Sequence, residues 1–182
     1  MKKIEVEIEG TNHLIMNRFG ELAIEQYLQK TKKKERAFDT KEMIEDKLYR
    51  KENGELFIPA KAIKTALLIA SSFYKLGKKS LKPFIAGLVK IEQYEVGLGT
   101  KKFETKMFID NLKGMKKPSV KPFLKTWKVK FNLIYDEPLD SEKLKEVLTE
   151  AGFRCGLLEY RPQRNGEFGT FKITKWSDSN VD

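Results

Sequence analysis

Cysteine, histidine and long apolar stretches are all scarce in this sequence. Cys155 is the only cysteine among 182 residues, so neither an intramolecular disulfide nor a cysteine-based zinc cluster can form, and a small core residue is the expected role. His13 is the only histidine. That removes catalysis by a histidine pair, and a lone imidazole beside a strand is expected to be structural, because general acid–base work needs a positioned partner. No stretch approaches the roughly 18 uninterrupted apolar residues of a membrane span, and the longest run, Ala66 to Ala70, is flanked by lysines. The first residues, Met1-Lys2-Lys3-Ile4-Glu5-Val6-Glu7, put acids where a signal peptide needs an apolar core. A cytoplasmic protein with no membrane partner is expected. No P-loop, nucleophile elbow or zinc motif occurs, and Asp39, Asp46, Asp110 and Asp136 lack the spacing of a metal loop. No catalytic residue, cofactor or metal is therefore assigned.

Acidic residues are missing from one region in particular. Between Ser71 and Lys130 there are 15 lysines against four acids, Glu92, Glu95, Glu104 and Asp110. The rest of the chain is close to balanced, so the formal net charge of +10 is concentrated in the central third. Asymmetry of this kind points to a surface that meets a polyanion. The competing reading is a solvated surface on which lysine and glutamate rise together, and here glutamate does not rise with lysine. A hydrophobic fraction of 40% and a charged fraction of 34% describe a folded chain with a wet surface. The length suits one domain over residues 1–182, with room for large insertions.

Periodicity sets out the elements. Ile4, Val6 and Ile8 alternate with charged residues and predict a strand over Lys3 to Glu9. Phe19 to Glu52 is helical in spacing but polar, and Asn53-Gly54 closes it, so residues 10–59 read as a mostly helical first insertion. Ala62, Ile63, Ala66, Leu67, Ile69, Ala70, Phe73 and Tyr74 predict a helix ending near Gly77. The β-branched and aromatic content of Phe84 to Val96 predicts a strand, broken by Gly97 and Gly99. Thr100 to Lys121 shows no sustained periodicity, is dense in lysine and holds Gly114 and Pro118; residues 97–123 read as a second, thumb-like loop insertion. Leu124 to Tyr135 alternates as a strand with Lys125, Lys128 and Lys130 on its flank, Asp140 caps a helix running to Gly152, and Phe168 to Trp176 forms a last strand. The order is that of an α+β, ferredoxin-like (RRM-like) βαββαβ domain with two insertions. Such a sheet leaves one face without helices, the usual single-strand platform of RNA-recognition folds.

The most distinctive segment runs from Gly152 to Ile173, with Gly156, Gly166 and Gly169 interleaved with Arg161 and Arg164. Glycine lets backbone amides approach a phosphate, and arginine offers its oxygens a planar fork. Asn165-Gly166 is equally a hairpin signal, with Phe168 to Ile173 as the returning strand. With the order of elements, this segment resembles the RAMP superfamily of CRISPR-associated proteins, whose ferredoxin-like domains end in a glycine-rich loop before the last strand. Leu56-Phe57-Ile58-Pro59-Ala60-Lys61 is similar to the family's proline and small residue before the first helix, although Ala60 and Lys61 stand where glycine and serine are common. The resemblance implies a backbone-type subunit assembling along single-stranded RNA, with the second insertion as a thumb. A phage or mobile-element relative coating single-stranded DNA fits the same residues.

The expected function is largely sequence-independent binding of single-stranded RNA or DNA, with copies assembling along the strand. Phosphates would be met by Lys101, Lys102, Lys106, Lys116, Lys117, Lys121, Arg161 and Arg164. Phe103 and Phe108 lie among lysines and are expected to stack on bases. Two other classes compete: a metal-independent endoribonuclease using His13 with a nearby lysine or tyrosine, and an assembly protein of a phage or mobile element whose lysines meet acidic partners.

Overall fold

Ile4, Val6 and Ile8 are fully or almost fully buried on strand β1 (Lys2–Gly10), which turns Glu5, Glu7 and Glu9 to the opposite face. The computed structural model describes residues 1–28, 41–112 and 114–179. After β1 come β2 (Leu14–Ile15), α1 (Glu21–Leu28), α2 (Lys41–Asp46) and β3 (Phe57–Pro59). Helix α3 (Ala60–Ala70) buries Ile63, Ala66, Leu67 and Ala70, the i, i+3, i+4, i+7 stripe of an amphipathic helix. A 3₁₀ turn (Ser71–Phe73) leads into β4 (Lys75–Leu76), β5 (Lys79–Ser80), α4 (Lys82–Leu88), β6 (Val89–Ile91) and β7 (Glu95–Gly97). Two long strands follow, β8 (Glu104–Leu112) and β9 (Met115–Leu124), then β10 (Lys128–Tyr135) and α5 (Ser141–Glu150). A π turn (Ala151–Cys155), a 3₁₀ turn (Pro162–Arg164) and β11 (Phe171–Ser179) complete the described chain.

The main sheet is antiparallel throughout, in the order β11-β1-β10-β6. Helices α3 and α5 pack on the face that carries Ile4, Val6 and Ile8, closing a core with Phe131 and Leu133 of β10 and Leu144, Val147 and Leu148 of α5. Each such side chain contributes about 1.5–3 kcal/mol on leaving water. Asp140 caps α5, its carboxylate accepting the Lys143 amide at 2.7 Å. A second antiparallel sheet, β2-β9-β8, stands apart from the first. The fold is thus α+β, as its alternating helical and strand periods predict. No helix among the described residues is long and apolar enough to cross a membrane.

Four local expectations change. Phe84 to Val96 opens as helix α4 rather than a strand, because Pro83 suits the first helical turn and the Lys64 ammonium donates to the carbonyls of Ile85 and Val89 at the other end. Gly77 does not cap α3, which ends at Ala70; it holds a φ of +60° in the turn between β4 and β5. The lysine-dense stretch is no irregular connection but the hairpin β8–β9. Its alternation is masked because both faces carry lysines as well as apolar residues. Asn165-Gly166 makes no two-residue hairpin: Asn165, at φ +59°, ends the 3₁₀ turn, and the strand starts only at Phe171. The middle of the first insertion, including Asp39, lies outside the described residues.

Candidate nucleic-acid interface

Lysines fall into two populations according to whether a carboxylate meets them. On the helix-free face of the main sheet they are paired across strands. Lys175 meets Glu5 at 3.0 Å, Lys128 and Lys130 each meet Glu7 at 3.2 Å, and Lys3 meets Glu92 at 3.0 Å. The Thr174 hydroxyl, with these two lysines, holds the Glu7 carboxyl down at about 2. That face carries a charge ladder along Glu5 and Glu7 and no aromatic ring from β1, β10 or Lys172 to Lys175 of β11, so the expected base-stacking platform offers charges mostly met by carboxylates and no ring to stack on. Lys101, Lys102, Lys106, Lys116 and Lys117 are exposed, and no carboxylate among the described residues pairs with them. Lys116 and Lys117 sit near the hairpin tip, opposite Asn111 and Asp110. Lys102 lines a wide groove of about 710 Å³ at the hairpin base, with Lys125, Lys128 and Trp127.

Lys121 belongs to neither population. Hairpin register turns it inward with Phe108 and Asp110, and only 1% of it is exposed. Its ammonium lies 2.9 Å from Asp110, 3.0 Å from the Tyr160 hydroxyl and 3.5 Å from Glu159. Burial alone would lower this amine, but the Tyr160 hydroxyl and the two carboxylates outweigh it and hold Lys121 above the usual lysine value. Tyr160 in turn donates to Asp110, and both burial and that carboxylate push its phenol up. Phe108 stacks on the Tyr160 ring at 4.8 Å and meets Phe168 edge-on at 6.0 Å. Lys121 and Phe108 therefore join the hairpin to the glycine-rich segment, and neither is presented to a strand. Phe103 is half-buried against the core with the Arg50 guanidinium 5.8 Å above its ring. Lys106, opposite Lys121, and Lys117, opposite Asp110, share the face of Lys121 and Phe108 yet are exposed, so it is the packing of Tyr160, Glu159 and Phe168 on the middle of that face, not the lysine-rich sequence, that decides which side chains are buried.

The glycines of the last loop serve the loop itself. Gly156 donates its amide to Ala151, Gly166 to Arg161 and Gly169 to His13, so none of the three is directed at a ligand. A Cβ on Gly166 would lie 1.8 Å from the Tyr160 carbonyl oxygen, and one on Gly169 2.0 Å from that of Leu157. Gly156 and Gly169 hold φ of +67° and +71°. What this packing displays is Arg161 and, on the exposed 3₁₀ turn, Arg164. Arg161 donates to the Leu158 carbonyl at 2.7 Å and lines a cleft of about 240 Å³ with Asn17, Tyr49, Lys61, Thr65 and Glu159, at the N-terminal end of α3. Burial, and then the nearby Arg164, pull its guanidinium below the usual value. Lys61 was missed in the sequence; its signal was its place just after Pro59, where a cation sits at the start of a helix instead of a small residue. His13 packs between Phe123 at 5.3 Å and Phe168 at 6.0 Å, and its buried Nδ1 has no hydrogen-bond partner among the described residues, an arrangement suited to packing rather than proton transfer.

Comparison with known proteins bears on the fold. No family model matches the chain, and no curated protein does. Among solved structures, a chain of the cryo-EM structure of the Type III-B Cmr-beta bound to cognate target RNA is similar to it, with a TM-score of 0.62 and 14% identity. The match covers 98% of this chain and 61% of that one, so this chain spans about three fifths of that protein's length. At this identity the likeness is one of fold.

Proposed function

We propose that this protein binds single-stranded nucleic acid, RNA foremost, through backbone contacts that do not depend on sequence. The observation that carries this reading is the division of the lysines: Lys3, Lys128, Lys130 and Lys175 of the main sheet meet glutamates, whereas Lys101, Lys102, Lys106, Lys116 and Lys117 are exposed and meet no carboxylate among the described residues. Unpaired ammonium groups are what a phosphate backbone can use, because each contact releases a condensed counterion. The strand would run along the exposed edge of the β8–β9 hairpin toward Arg161, Arg164 and Lys61 at the start of α3. Lys121 holds the hairpin and the loop as one body along that path.

The strand order β11-β1-β10-β6 with α3 and α5 on one face supports a ferredoxin-like domain, in which residues 10–59 and 97–123 are insertions. The fold shared with a chain of a Type III-B Cmr-beta structure bound to target RNA supports reading this chain as a RAMP-like, RNA-binding subunit; assembly of copies along the strand is part of the same proposal. The test is binding of labelled single-stranded RNA, single-stranded DNA and duplex across a salt series. The reading expects RNA or DNA single strands to bind with a steep negative slope of log affinity against log salt. Binding that ignores salt, or preference for duplex, overturns it.

A further inference from the structure

A second group of unpaired lysines sits at the other end of α3. Lys75, Lys78, Lys79 and Lys82 are all exposed, and no carboxylate among the described residues pairs with them. They occupy one short hairpin and the start of α4. The hairpin is pinned rather than loose: Leu81 is fully buried, and its amide donates to the Tyr74 carbonyl at 3.0 Å. Of the acids of the neighbouring helix, Glu146 is held by Lys143 and Glu150 by Arg154, and Glu142, which lines a cleft with Tyr74, makes no ion pair with these lysines. Four cations fixed within eight residues repel one another, and no carboxylate among the described residues forms an ion pair with them.

Aromatic rings stand beside the cluster. Phe73, the last residue of the 3₁₀ turn, is 63% exposed, with the Arg154 guanidinium 5.4 Å from its centroid. Phe153, in the π turn next to Arg154, is 76% exposed. An acidic protein surface would satisfy the lysines, but an open ring set beside four cations pairs charge with a stacking face. A single-stranded nucleic acid uses both, phosphates on the ammonium groups and a base on the ring. Helix α3 has 11 residues and sets this patch about 16 Å from the cleft at its N-terminal end, further than one phosphate contact reaches.

We infer that the Lys75–Lys82 hairpin with Phe73 is a second, separate contact for single-stranded nucleic acid. The inference extends the proposed single-strand binding and rests on it only for the chemistry of the ligand. The measurement is the stoichiometry and salt slope of labelled oligouridine, at about 8 nucleotides, within the 4–16 that a single module covers, and at about 30. The parent is expected to take two short oligonucleotides per chain. The variant Lys75→Gln/Lys78→Gln/Lys79→Gln/Lys82→Gln keeps the aliphatic stems and is expected to take one. Its slope on the long strand should fall by about 2.8, four contacts at about 0.7 each for single strands. Phe73→Ala is expected to weaken the second site roughly tenfold without changing the slope. A cluster variant that matches the parent in stoichiometry and slope overturns this inference and leaves the proposed function standing. No loss from this variant together with none from a Lys→Gln variant of the β8–β9 hairpin overturns both. Polyglutamate that displaces the oligonucleotide from this patch alone, at lower concentration than oligouridine does, assigns the patch to an acidic protein and also overturns the inference.

Discussion

Removing the Lys121 ammonium leaves Asp110 and Glu159 facing each other across the junction without a cation. Lys121→Ala is expected to cost about 3 kcal/mol in denaturant unfolding, the low end for breaking a buried pair, because both carboxylates keep partial access to water. An unchanged midpoint contradicts the role given to the junction. Lys121→Met, which keeps the stem, should recover part of the loss if packing and charge contribute separately. At Gly166 the argument is steric. A methyl group would meet the Tyr160 carbonyl at a distance no side chain tolerates, so Gly166→Ala should destabilise by more than about 2 kcal/mol. A phosphate cradle instead predicts lost binding with stability intact. The sequence marks Gly166 and Lys121 as unusual but attaches both to the ligand. Tyr160, which meets both, is 39 residues from Lys121 and brought to it by tertiary structure, while its closeness to Gly166 is set by the path of the local loop, which periodicity does not show.

Elements differ in how openly the chain announces them. β1, α3, β10 and α5 are legible because a single buried face imposes a clean period on Ile4, Val6 and Ile8, or on Ile63, Ala66, Leu67 and Ala70. The β8–β9 hairpin is not, since Met107 and Ile109 are exposed on one face while Lys121 is buried on the other. α4 is hidden because its C-terminal carbonyls are satisfied by Lys64, a residue from a different helix. On the main sheet, the paired ladder predicts a pH response. Thr174, Lys128 and Lys130 depress the Glu7 carboxyl to about 2 in the folded state, below its unfolded value of about 4.3. The unfolded chain thus takes up a proton first as pH falls. The ladder's contribution is complete above about pH 4.3 and is lost between there and about 2. Glu7→Gln should flatten the acid limb of a stability-against-pH profile over that window; an unchanged limb contradicts the assignment.

At the scale of the whole molecule, net charge alone says nothing about where a strand lies. The formal +10 is consistent with a coated sheet, a coated hairpin or no partner. Pairing decides between them. Lys3, Lys128, Lys130 and Lys175 of the sheet meet Glu92, Glu7 and Glu5, while Lys106, Lys116 and Lys117 of the hairpin meet no carboxylate among the described residues. The fold shared with a chain of an RNA-bound assembly is compatible with either surface. Two charge-removal variants therefore separate them: one carrying Lys101→Gln, Lys102→Gln, Lys106→Gln, Lys116→Gln and Lys117→Gln, the other Lys128→Gln, Lys130→Gln, Lys172→Gln and Lys175→Gln.

The most direct measurement is the salt slope of single-stranded RNA binding for these two variants beside the parent. The hairpin variant is predicted to lose about 3.5 from the slope, five contacts at about 0.7 each, with affinity falling in step, while the sheet variant stays within about 1 of the parent. The reverse pattern, a sheet variant that loses the slope and a hairpin variant that keeps it, would contradict the account.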